Sequence, residues 1–454
     1  MATDDASSTP VRSIDDLEAT FHAGAKARDL WRIGVEYEKP VVDASGESVP
    51  YEGAVGIRRL LDGMRERSSQ WEGVYEGRHL IALQDGLASI TLEPGGQFEM
   101  SGQQCDSLHC AADELERHVR EIVTVGREIG ARFLGLGIVP KTPLSRIPWM
   151  PKHRYEIMRR IMARTGTLGL RMMGQTATVQ CNFDYGDEKD AADKMRVSMA
   201  MGPVLVAVSA NSPVVDGRAT GFQSFRSHIW TDTDADRCGV LPFVFETDAL
   251  FGAYTQYALD VPMYFIKRAG RLIEVGGMTF RRFLELGWEG ERATLADWTL
   301  HLTTLFPEVR LKTYIEVRSA DSQSVDLMLG TPALMKGILY DADCLAAAWD
   351  VVKAWPANEI SEIQDQAARK GLAGRAGRHS LGDIALEVLA IAEEGLARQH
   401  KRNSAGRDER LYLEKLSDEV RGRRNPATRI IEQWEGPWNG DVDRLIDYAA
   451  YRLS

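Results

Sequence analysis

The sequence lacks the features that mark several common classes of protein. Five cysteines in 454 residues are few and odd in number, and none forms a CxxC pair, so neither a structural zinc site nor a disulfide framework is expected. No apolar run approaches the ~18 residues that a membrane-spanning helix needs. The net charge of −11 argues against nucleic acid as the main partner. A globular protein with neither nucleic-acid nor membrane partners is therefore expected.

Common catalytic signatures are missing as well. The chain has no GxxxxGK[ST] phosphate loop, no GxGxxG between a strand and a helix, and no GxSxG, HExxH or kinase signature. The nine histidines show no ligand spacing. The first residues, MATDDASSTPVRSIDD, resemble neither a secretory signal nor a transit peptide, so a cytoplasmic location is expected. We expect residues 1–12 to form a flexible tail.

The sequence does contain a mixture of strand and helix patterns. Asp85-Gly86 joins HLIALQ to ASITLEP and predicts a hairpin, and GQFEMSG continues as a strand after a Pro-Gly-Gly turn. Residues 106–131 predict a long helix, and RMMGQTATVQCNFDYG predicts a strand. Because strands and helices do not alternate regularly, we expect a mainly antiparallel α+β fold. Residues 13–454 would form one catalytic domain, with the sheet core over about 30–330 and a helical part over about 331–454.

Three predicted strands carry regular polar faces. Their polar side chains are Glu36 and Glu38 in RIGVEYEKP, Gln180 and Asn182 in TATVQCNFDY, and Lys312, Tyr314, Glu316 and Arg318 in LKTYIEVR. Glu93 and Glu99 lie on short strands on either side of the Pro-Gly-Gly turn. Each strand taken alone is compatible with the solvent face of a one-sided antiparallel sheet.

Taken together, the same residues favour a cavity. If the strands share one sheet whose polar face is enclosed, only cations can neutralise the carboxylates that converge there. Carboxylate oxygens are the ligands that Mg²⁺ and Mn²⁺ prefer. An arginine beside metal-bound carboxylates stabilises a transferring phosphoryl group. The residues alone therefore indicate a magnesium-dependent phosphoryl-transfer site.

Several segments together resemble the plant-type glutamate–cysteine ligases, a family of plants and many bacteria. They are GVEYEKP, LEPGGQFEMSG, MMGQTATVQCNFDY, SANSP, RSHIWTDTDADRCGVLPFVF and TYIEVRSAD, collinear with the family from about residue 30 to 330. The resemblance implies ATP-dependent ligation of the glutamate γ-carboxylate to the cysteine amine through γ-glutamyl phosphate, the first step of glutathione synthesis. It also implies a curved antiparallel sheet that forms a funnel, as in glutamine synthetase and the guanidino kinases, with helices outside.

The resemblance also implies roles for the matching residues. Two to three Mg²⁺ ions, or Mn²⁺ in their place, would be bound by Glu36, Glu38, Glu93, Glu99 and Glu316. ATP, the co-substrate, would lie beside Gln180, Asn182 and Lys312. Arg318 would contact the transferred phosphate and act with Glu316 in catalysis. Arg226 and Arg237 would bind the glutamate carboxylate or the phosphate, and Trp230 would shape the substrate pocket.

Other interpretations stay open. Glu36 or Glu93 could contact the metal ligands without binding the metal. Trp230 could serve only in packing, and Arg237 could cap the aspartate-rich loop. A ligase of the same fold could use a different amine or serve another thiol pathway, such as ergothioneine synthesis. A non-catalytic sensor of glutamate or nucleotide is a remoter alternative. Plant members carry regulatory disulfides, but the cysteines of this chain do not match those positions, so redox control is not expected. Either a monomer or a homodimer fits.

Overall fold

The computed structural model describes residues 9–453. Helices account for much of the chain and for almost all of it after residue 331. In chain order they are α1 (Ile14–His22), α2 (Ile57–Arg67), α3 (Leu108–Ile129), α4 (His153–Thr165), α5 (Gly169–Gln175), α6 (Glu188–Ala200), α7 (Gly202–Ser209), α8 (Phe225–Trp230), α9 (Leu250–Asp260), α10 (Phe280–Leu286), α11 (Leu295–Leu302), α12 (Gly330–Leu339), α13 (Ala342–Val352), α14 (Ile360–Lys370), α15 (Leu381–Arg398), α16 (Glu414–Arg421), α17 (Pro426–Glu435) and α18 (Val442–Ala449).

One eight-stranded sheet carries the candidate site. Its strands are β1 (Ile33–Lys39), β2 (Glu72–Glu76), β3 (His79–Gln84), β4 (Ser89–Leu92), β5 (Phe98–Ser101), β6 (Thr178–Phe183), β7 (Val309–Leu311) and β8 (Ile315–Asp321). They pair in the order β7-β8-β6-β1-β5-β4-β3-β2, and every pair is antiparallel. The hairpin predicted at Asp85-Gly86 joins β3 to β4. The predicted α+β fold with a large antiparallel sheet is confirmed.

The two faces of the sheet differ in polarity. Alternation along β1 turns Val35 and Tyr37 away from the glutamates, and both side chains are buried in the main core. Helices α3, α7 and α12 pack against strands of the sheet. Side chains of α4, α5 and α8 enclose a cavity of about 310 Å³ over the polar face. Within the described part of the chain, no helix is long and apolar enough to cross a membrane.

Short two-stranded ribbons complete the architecture. Their paired segments are Val41–Val42 with Arg132–Phe133, Val214–Val215 with Arg218–Ala219, Cys238–Gly239 with Phe306–Pro307, Phe265–Arg268 with Arg271–Glu274, and Arg375–Ala376 with His379–Ser380. Beyond residue 331, the last ribbon contains the only strands of the described chain.

The strand predicted over RMMGQTATVQCNFDYG is correct only for its second half. Helix α5 takes up the first half, and β6 begins at Thr178. RMMGQ is too short for its pattern to distinguish a helix from a strand, whereas the alternation of TVQCNF identifies a strand. The helix places Met172 and Met173 on the wall of the cavity.

The structure contains one disulfide, which the sequence did not predict. Cys105 and Cys110 form a disulfide, with their Cα atoms 5.6 Å apart. The bond closes the turn that leads into α3, where Ser107 Oγ accepts a hydrogen bond from the amide of Cys110 at 3.3 Å. The local turn brings together two cysteines whose spacing in the sequence matches no recognised motif. Cys181, Cys238 and Cys344 have free thiols.

The predicted N-terminal tail needs a partial correction. Residues 1–8 lie outside the described part of the chain. Residues that follow them are attached to the domain, because Val11 N donates to Ala293 O at 3.0 Å and Leu295 N donates to Thr9 O at 3.0 Å. Residues 9–12 are therefore held in place by backbone hydrogen bonds.

Candidate active site

Acidic side chains from several strands share the polar face of the sheet. Glu38 on β1 lies directly opposite Glu99 on β5, and Glu36 lies opposite Gln180 on β6. Glu316 lies on β8, the next strand after β6 in the sheet. The alternation seen in the sequence thus brings the expected side chains together.

Hydrogen bonds hold these carboxylates in place. Thr178 N donates to Glu38 Oε2 at 3.0 Å, and Glu99 accepts from two neighbouring hydroxyl groups. Asn182 Nδ2 donates to Glu36 Oε1 at 2.9 Å. Asn182 does not line the cavity, so the structure places it behind Glu36.

Burial and crowding shift the proton affinity of these groups. Burial, together with the like charges of Glu316 and Glu99, raises the pKa of Glu36 to about 7. Burial is also the main reason why the pKa values of Glu38 and Glu99 are raised, and the charge of Glu93 raises both further. A cation bound among these groups would favour their ionised forms, because it would offset both effects.

The donor set fits magnesium that is shared with a phosphate group. Across residues 9–453, no three His, Cys, Asp or Glu side chains approach closely enough to enclose one metal ion. Magnesium in phosphoryl-transfer sites keeps several waters and binds one or two carboxylates together with substrate phosphates. Carboxylates spread over neighbouring strands, such as Glu38 and Glu99, suit that mode of binding better than an all-protein cage.

Glu316 differs from the other glutamates because it is fully buried among cations. Nitrogen atoms of Arg310, Lys312 and Arg318 lie 2.6, 3.0 and 2.7 Å from its carboxylate oxygens. Burial alone would raise the pKa of Glu316, but these three cations hold it well below its usual range. Glu316 and Lys312 do not line the cavity. Glu316 is the counter-ion that fixes Arg310 and Arg318 on the cavity wall.

The Pro-Gly-Gly turn brings Glu93 to the cavity. Gly96 has a φ of +86°, which only glycine adopts freely. A Cβ atom on Gly95 would lie 2.0 Å from the carbonyl oxygen of Gly174, so the turn packs directly against α5. Glu93 Oε1 accepts a hydrogen bond from Tyr155 Oη at 3.4 Å, and both side chains line the cavity.

Another wall of the cavity carries Arg226, Trp230 and Arg318. The guanidinium carbons of Arg226 and Arg318 lie 6.0 and 5.9 Å from the centre of the Trp230 ring. Arg226 Nη2 donates to the carbonyl oxygen of Arg318 at 2.9 Å. The register of β8 on β6 shifts between Val317 and Ala320, and such a bulge redirects the side chains within it.

Arg237 lies apart from the other residues that were predicted to bind substrate. Arg237 is 2 % exposed and does not line the cavity. Its Nε donates to Asp234 Oδ2 at 2.6 Å, and its other nitrogens donate to two backbone carbonyl groups. The guanidinium carbon also lies 3.9 Å from the centre of the Tyr264 ring. Arg237 thus caps the aspartate-rich loop, which was the alternative interpretation of the sequence.

Sequence reasoning missed three basic residues of the cavity. Lys152 and Arg154 lie at the start of α4, Arg310 lies on β7, and all three line the cavity. Lys152 Nζ donates to the carbonyl oxygen of Leu92 at 2.8 Å, which ties α4 to the sheet. The run of basic residues that follows Pro151 in PKHR was the signal that could have identified this helix start.

The fold is shared with a known ligase. The crystal structure of glutamate–cysteine ligase from Francisella tularensis in complex with AMP matches with a TM-score of 0.56, and the match covers 92% of this chain and 88% of the other. The two sequences are 14% identical, so the likeness shows the fold alone. The likeness therefore assigns the chain to the α+β fold class of that structure.

The sequence comparisons define the family. The model of glutamate–cysteine ligase family 2 matches residues 32–448, and the chain belongs to that family. It is 42% identical over 440 residues to the chloroplastic glutamate–cysteine ligase of Medicago truncatula, covering 96% of this chain and 85% of that protein. It is also 42% identical over 441 residues to the Arabidopsis thaliana enzyme, covering 96% and 83%. These matches confirm the predicted family, enzyme class and reaction.

One prediction is overturned by the same comparisons. Both plant relatives are named as chloroplastic enzymes, which contradicts the cytoplasmic location expected from the first residues.

Proposed function

We propose that the acidic cavity is where this chain, a member of the glutamate–cysteine ligase family, uses ATP to join the glutamate γ-carboxylate to the cysteine amine. The observation that carries the proposal is one enclosed face that combines Glu36, Glu38 and Glu99, all with raised pKa values, with the arginines of its wall. Residues 13–454 would act as one catalytic unit. Residues of one chain line the whole cavity, so the site would be complete in a monomer and in a homodimer.

Magnesium would be held by Glu36, Glu38, Glu93 and Glu99, with phosphate and water oxygens completing its coordination. When bound, it offsets the repulsion between the glutamate carboxylate and the phosphates and stabilises negative charge on the phosphoryl oxygens. Gln180 Nε2 lies 3.4 Å from Glu38 Oε1 and would orient that ligand. We assign Glu316 a positioning role, because metal binding would require it to release its three cationic partners.

The arginines would support the two chemical steps. The glutamate γ-carboxylate attacks the γ-phosphorus of ATP and expels ADP, while Arg318 and Arg310 stabilise the charge on the transferred group. The resulting γ-glutamyl phosphate is a mixed anhydride with a good leaving group. The deprotonated cysteine amine then attacks its carbonyl carbon and expels phosphate. No protein nucleophile is needed, and the enclosed site limits hydrolysis of the anhydride.

The glutamate substrate would be held by its α-carboxylate. Arg226 and Arg154 both line the cavity, and a guanidinium group binds a carboxylate through two parallel hydrogen bonds. Trp230 would pack beside the substrate, because it lines the cavity and its ring centre lies 6.0 and 5.9 Å from the guanidinium carbons of Arg226 and Arg318. The presence of Glu36, Glu38 and Arg318 together supports an enzyme over a non-catalytic sensor.

The test is ADP release with ATP, Mg²⁺ and glutamate, with cysteine compared against a panel of other amines and each product identified by mass. We expect γ-glutamylcysteine to form, and cysteine to be the preferred acceptor. Turnover with another amine and none with cysteine would reject the named acceptor. No turnover with any amine would reject the ligase and favour the sensor.

A further inference from the structure

A buried aspartate lies next to Arg226, outside the lining of the cavity. Asp321 is the last residue of β8, three positions after Arg318, and it is 1% exposed. It does not line the cavity, so it has no direct access to a substrate. A buried carboxylate is costly unless hydrogen-bond donors and a cation surround it. The partners of Asp321 therefore indicate what it holds in place.

The carboxylate of Asp321 joins two separate segments to the end of β8. Its Oδ2 accepts hydrogen bonds from Asn211 N at 2.8 Å and from Ser212 Oγ at 2.7 Å. Its Oδ1 accepts one from Ser224 Oγ at 2.8 Å. Asn211 and Ser212 belong to the segment SANSP, and Ser224 is the residue immediately before α8. Both carboxylate oxygens are thus occupied by donors from outside the sheet.

The two serines extend this contact to the start of α8. A hydroxyl group has one proton to donate, and both serines donate theirs to Asp321, so each serine oxygen remains free to accept. Arg226 N donates to Ser212 Oγ at 3.0 Å, and Ser227 N donates to Ser224 Oγ at 3.1 Å. The amides of a first helical turn have no partner within the helix. Asp321 therefore fixes the start of α8 through both serines.

Arg226 and Asp321 also interact as opposite charges. Arg226 Nη1 lies 3.9 Å from Asp321 Oδ1, and both side chains are almost fully buried. Burial raises the pKa of Asp321, and the charge of Arg226 is the largest effect that opposes this rise. The guanidinium group also donates to the carbonyl oxygens of Ser319 and Arg318, at 3.3 and 2.9 Å. The backbone and the side chain of Arg226 are thus both attached to the end of β8.

We propose that Asp321 is a positioning residue that holds Arg226 on the cavity wall in the orientation that binds the carboxylate of glutamate. The inference rests on the proposed function, in which Arg226 binds that carboxylate. Asp321 acts through Ser212, Ser224 and its own charge, and it does not touch the substrate. This role also accounts for the segment SANSP, which supplies no residue to the lining of the cavity.

Steady-state kinetics of Asp321→Asn test this role. An asparagine can accept hydrogen bonds at only one of its two end atoms, so one donor loses its acceptor and Arg226 loses its charge partner. We expect KM for glutamate to rise about tenfold or more, because hydrogen bonds to a charged group are lost behind the residue that binds it. KM for ATP should stay within about twofold, and kcat should change less than KM for glutamate.

The matched control is Asp234→Asn. It changes the buried partner of Arg237, another arginine in a buried ion pair, but neither residue lines the cavity. We expect the control to lower the melting temperature and to leave KM for glutamate unchanged. A loss of stability by itself therefore does not produce the effect expected of Asp321→Asn.

A double-variant cycle tests whether Asp321 acts through Arg226. In an Arg226→Ala background, Asp321→Asn should raise KM for glutamate no further, because the residue that it positions is absent. An additive rise would overturn the proposal. Ser224→Ala removes one of the two serine links and should raise the same KM by a smaller factor than Asp321→Asn. This variant keeps the test decisive if Asp321→Asn folds poorly, since an unchanged KM would then reject the positioning role.

The outcomes separate this inference from the proposed function. If wild type makes no γ-glutamylcysteine, the proposed function fails, and this inference fails with it. If wild type is active and Asp321→Asn leaves KM for glutamate unchanged, as the control does, only the assignment of Asp321 is overturned.

Discussion

Glu38 and Glu99 stand directly opposite each other on neighbouring strands, and both side chains are buried. Like charges in this arrangement destabilise a sheet, and burial adds to the cost of ionising either group. The arrangement is explained if the pair serves a cation that arrives with the substrate.

Replacement of Glu38 by Gln should therefore separate activity from stability. We expect Glu38→Gln to lower ADP release about 10²-fold or more, because a group that stabilises transition-state charge is lost. The melting temperature of the metal-free protein should not fall, since one of two repelling carboxylates is removed. Coupled ADP assays and thermal melts check both. The control is Glu116→Gln, at a side chain on α3 that is 70% exposed. If Glu38→Gln lowers the melting temperature and the control does not, Glu38 has a structural role.

The raised pKa of Glu36 predicts how stability depends on pH. Its pKa is about 7 in the folded chain against 4.5 for the ordinary group, so the folded state binds more protons between these values. The contribution of Glu36 to the stability of the metal-free protein is therefore full below pH 4.5, falls as the pH rises toward 7, and is lost above it.

Thermal melts of metal-free wild type and Glu36→Gln between pH 5 and pH 8 check this pH dependence. Each unit of pKa shift corresponds to about 1.4 kcal/mol of unfolding free energy. The difference in stability between the two proteins should change over this range, with Glu36→Gln gaining relative to wild type as the pH rises. A difference that is the same at both ends would contradict the assignment.

The buried ion cluster around Glu316 predicts that Arg310 and Glu316 are energetically coupled. Arg310→Met should cost about 3 kcal/mol or less of unfolding free energy, the lower end for a broken buried pair, because Lys312 and Arg318 still neutralise Glu316. Adding Glu316→Leu should show coupling between the sites in urea denaturation. Turnover should stay low in the double variant, since Arg318 loses its anchor. Additive effects on stability would show that Arg310 and Glu316 do not act as a pair.

Arg237 should behave as a structural residue. We expect Arg237→Ala to lower the melting temperature, because Asp234 would be left buried without its cation. KM for glutamate should be unchanged in protein that remains folded. Arg226→Ala is the matched comparison and should raise that KM. An increase in KM with an unchanged melt for Arg237→Ala would restore the role first predicted from the sequence.

The face of the sheet was predictable because period-2 alternation is a local property. Glu36, Glu38 and Gln180 were placed on one side by their own strands, and pairing of those strands then fixed their proximity. The position of Arg237 was not predictable, because its partners, Asp234 and two backbone carbonyl groups, depend on the path of a loop that no period describes.

The basic residues show the same limit at longer range. Arg154 reaches the cavity from a helix start that packs over the sheet, a relationship set by tertiary structure and not by local pattern. The burial of Glu316 beneath Arg310 depends on the pairing of β7 with β8. In the sequence, Glu316 looked like any other glutamate on a polar strand face.

The central claim is that the cavity activates glutamate as an acyl phosphate before the amine attacks. Glutamate labelled with ¹⁸O in its γ-carboxylate tests it in one reaction with ATP, Mg²⁺ and cysteine, because one carboxylate oxygen must leave with the phosphate. Mass spectrometry of the released inorganic phosphate should find one ¹⁸O atom per molecule. Phosphate without ¹⁸O, formed together with γ-glutamylcysteine, would contradict the account.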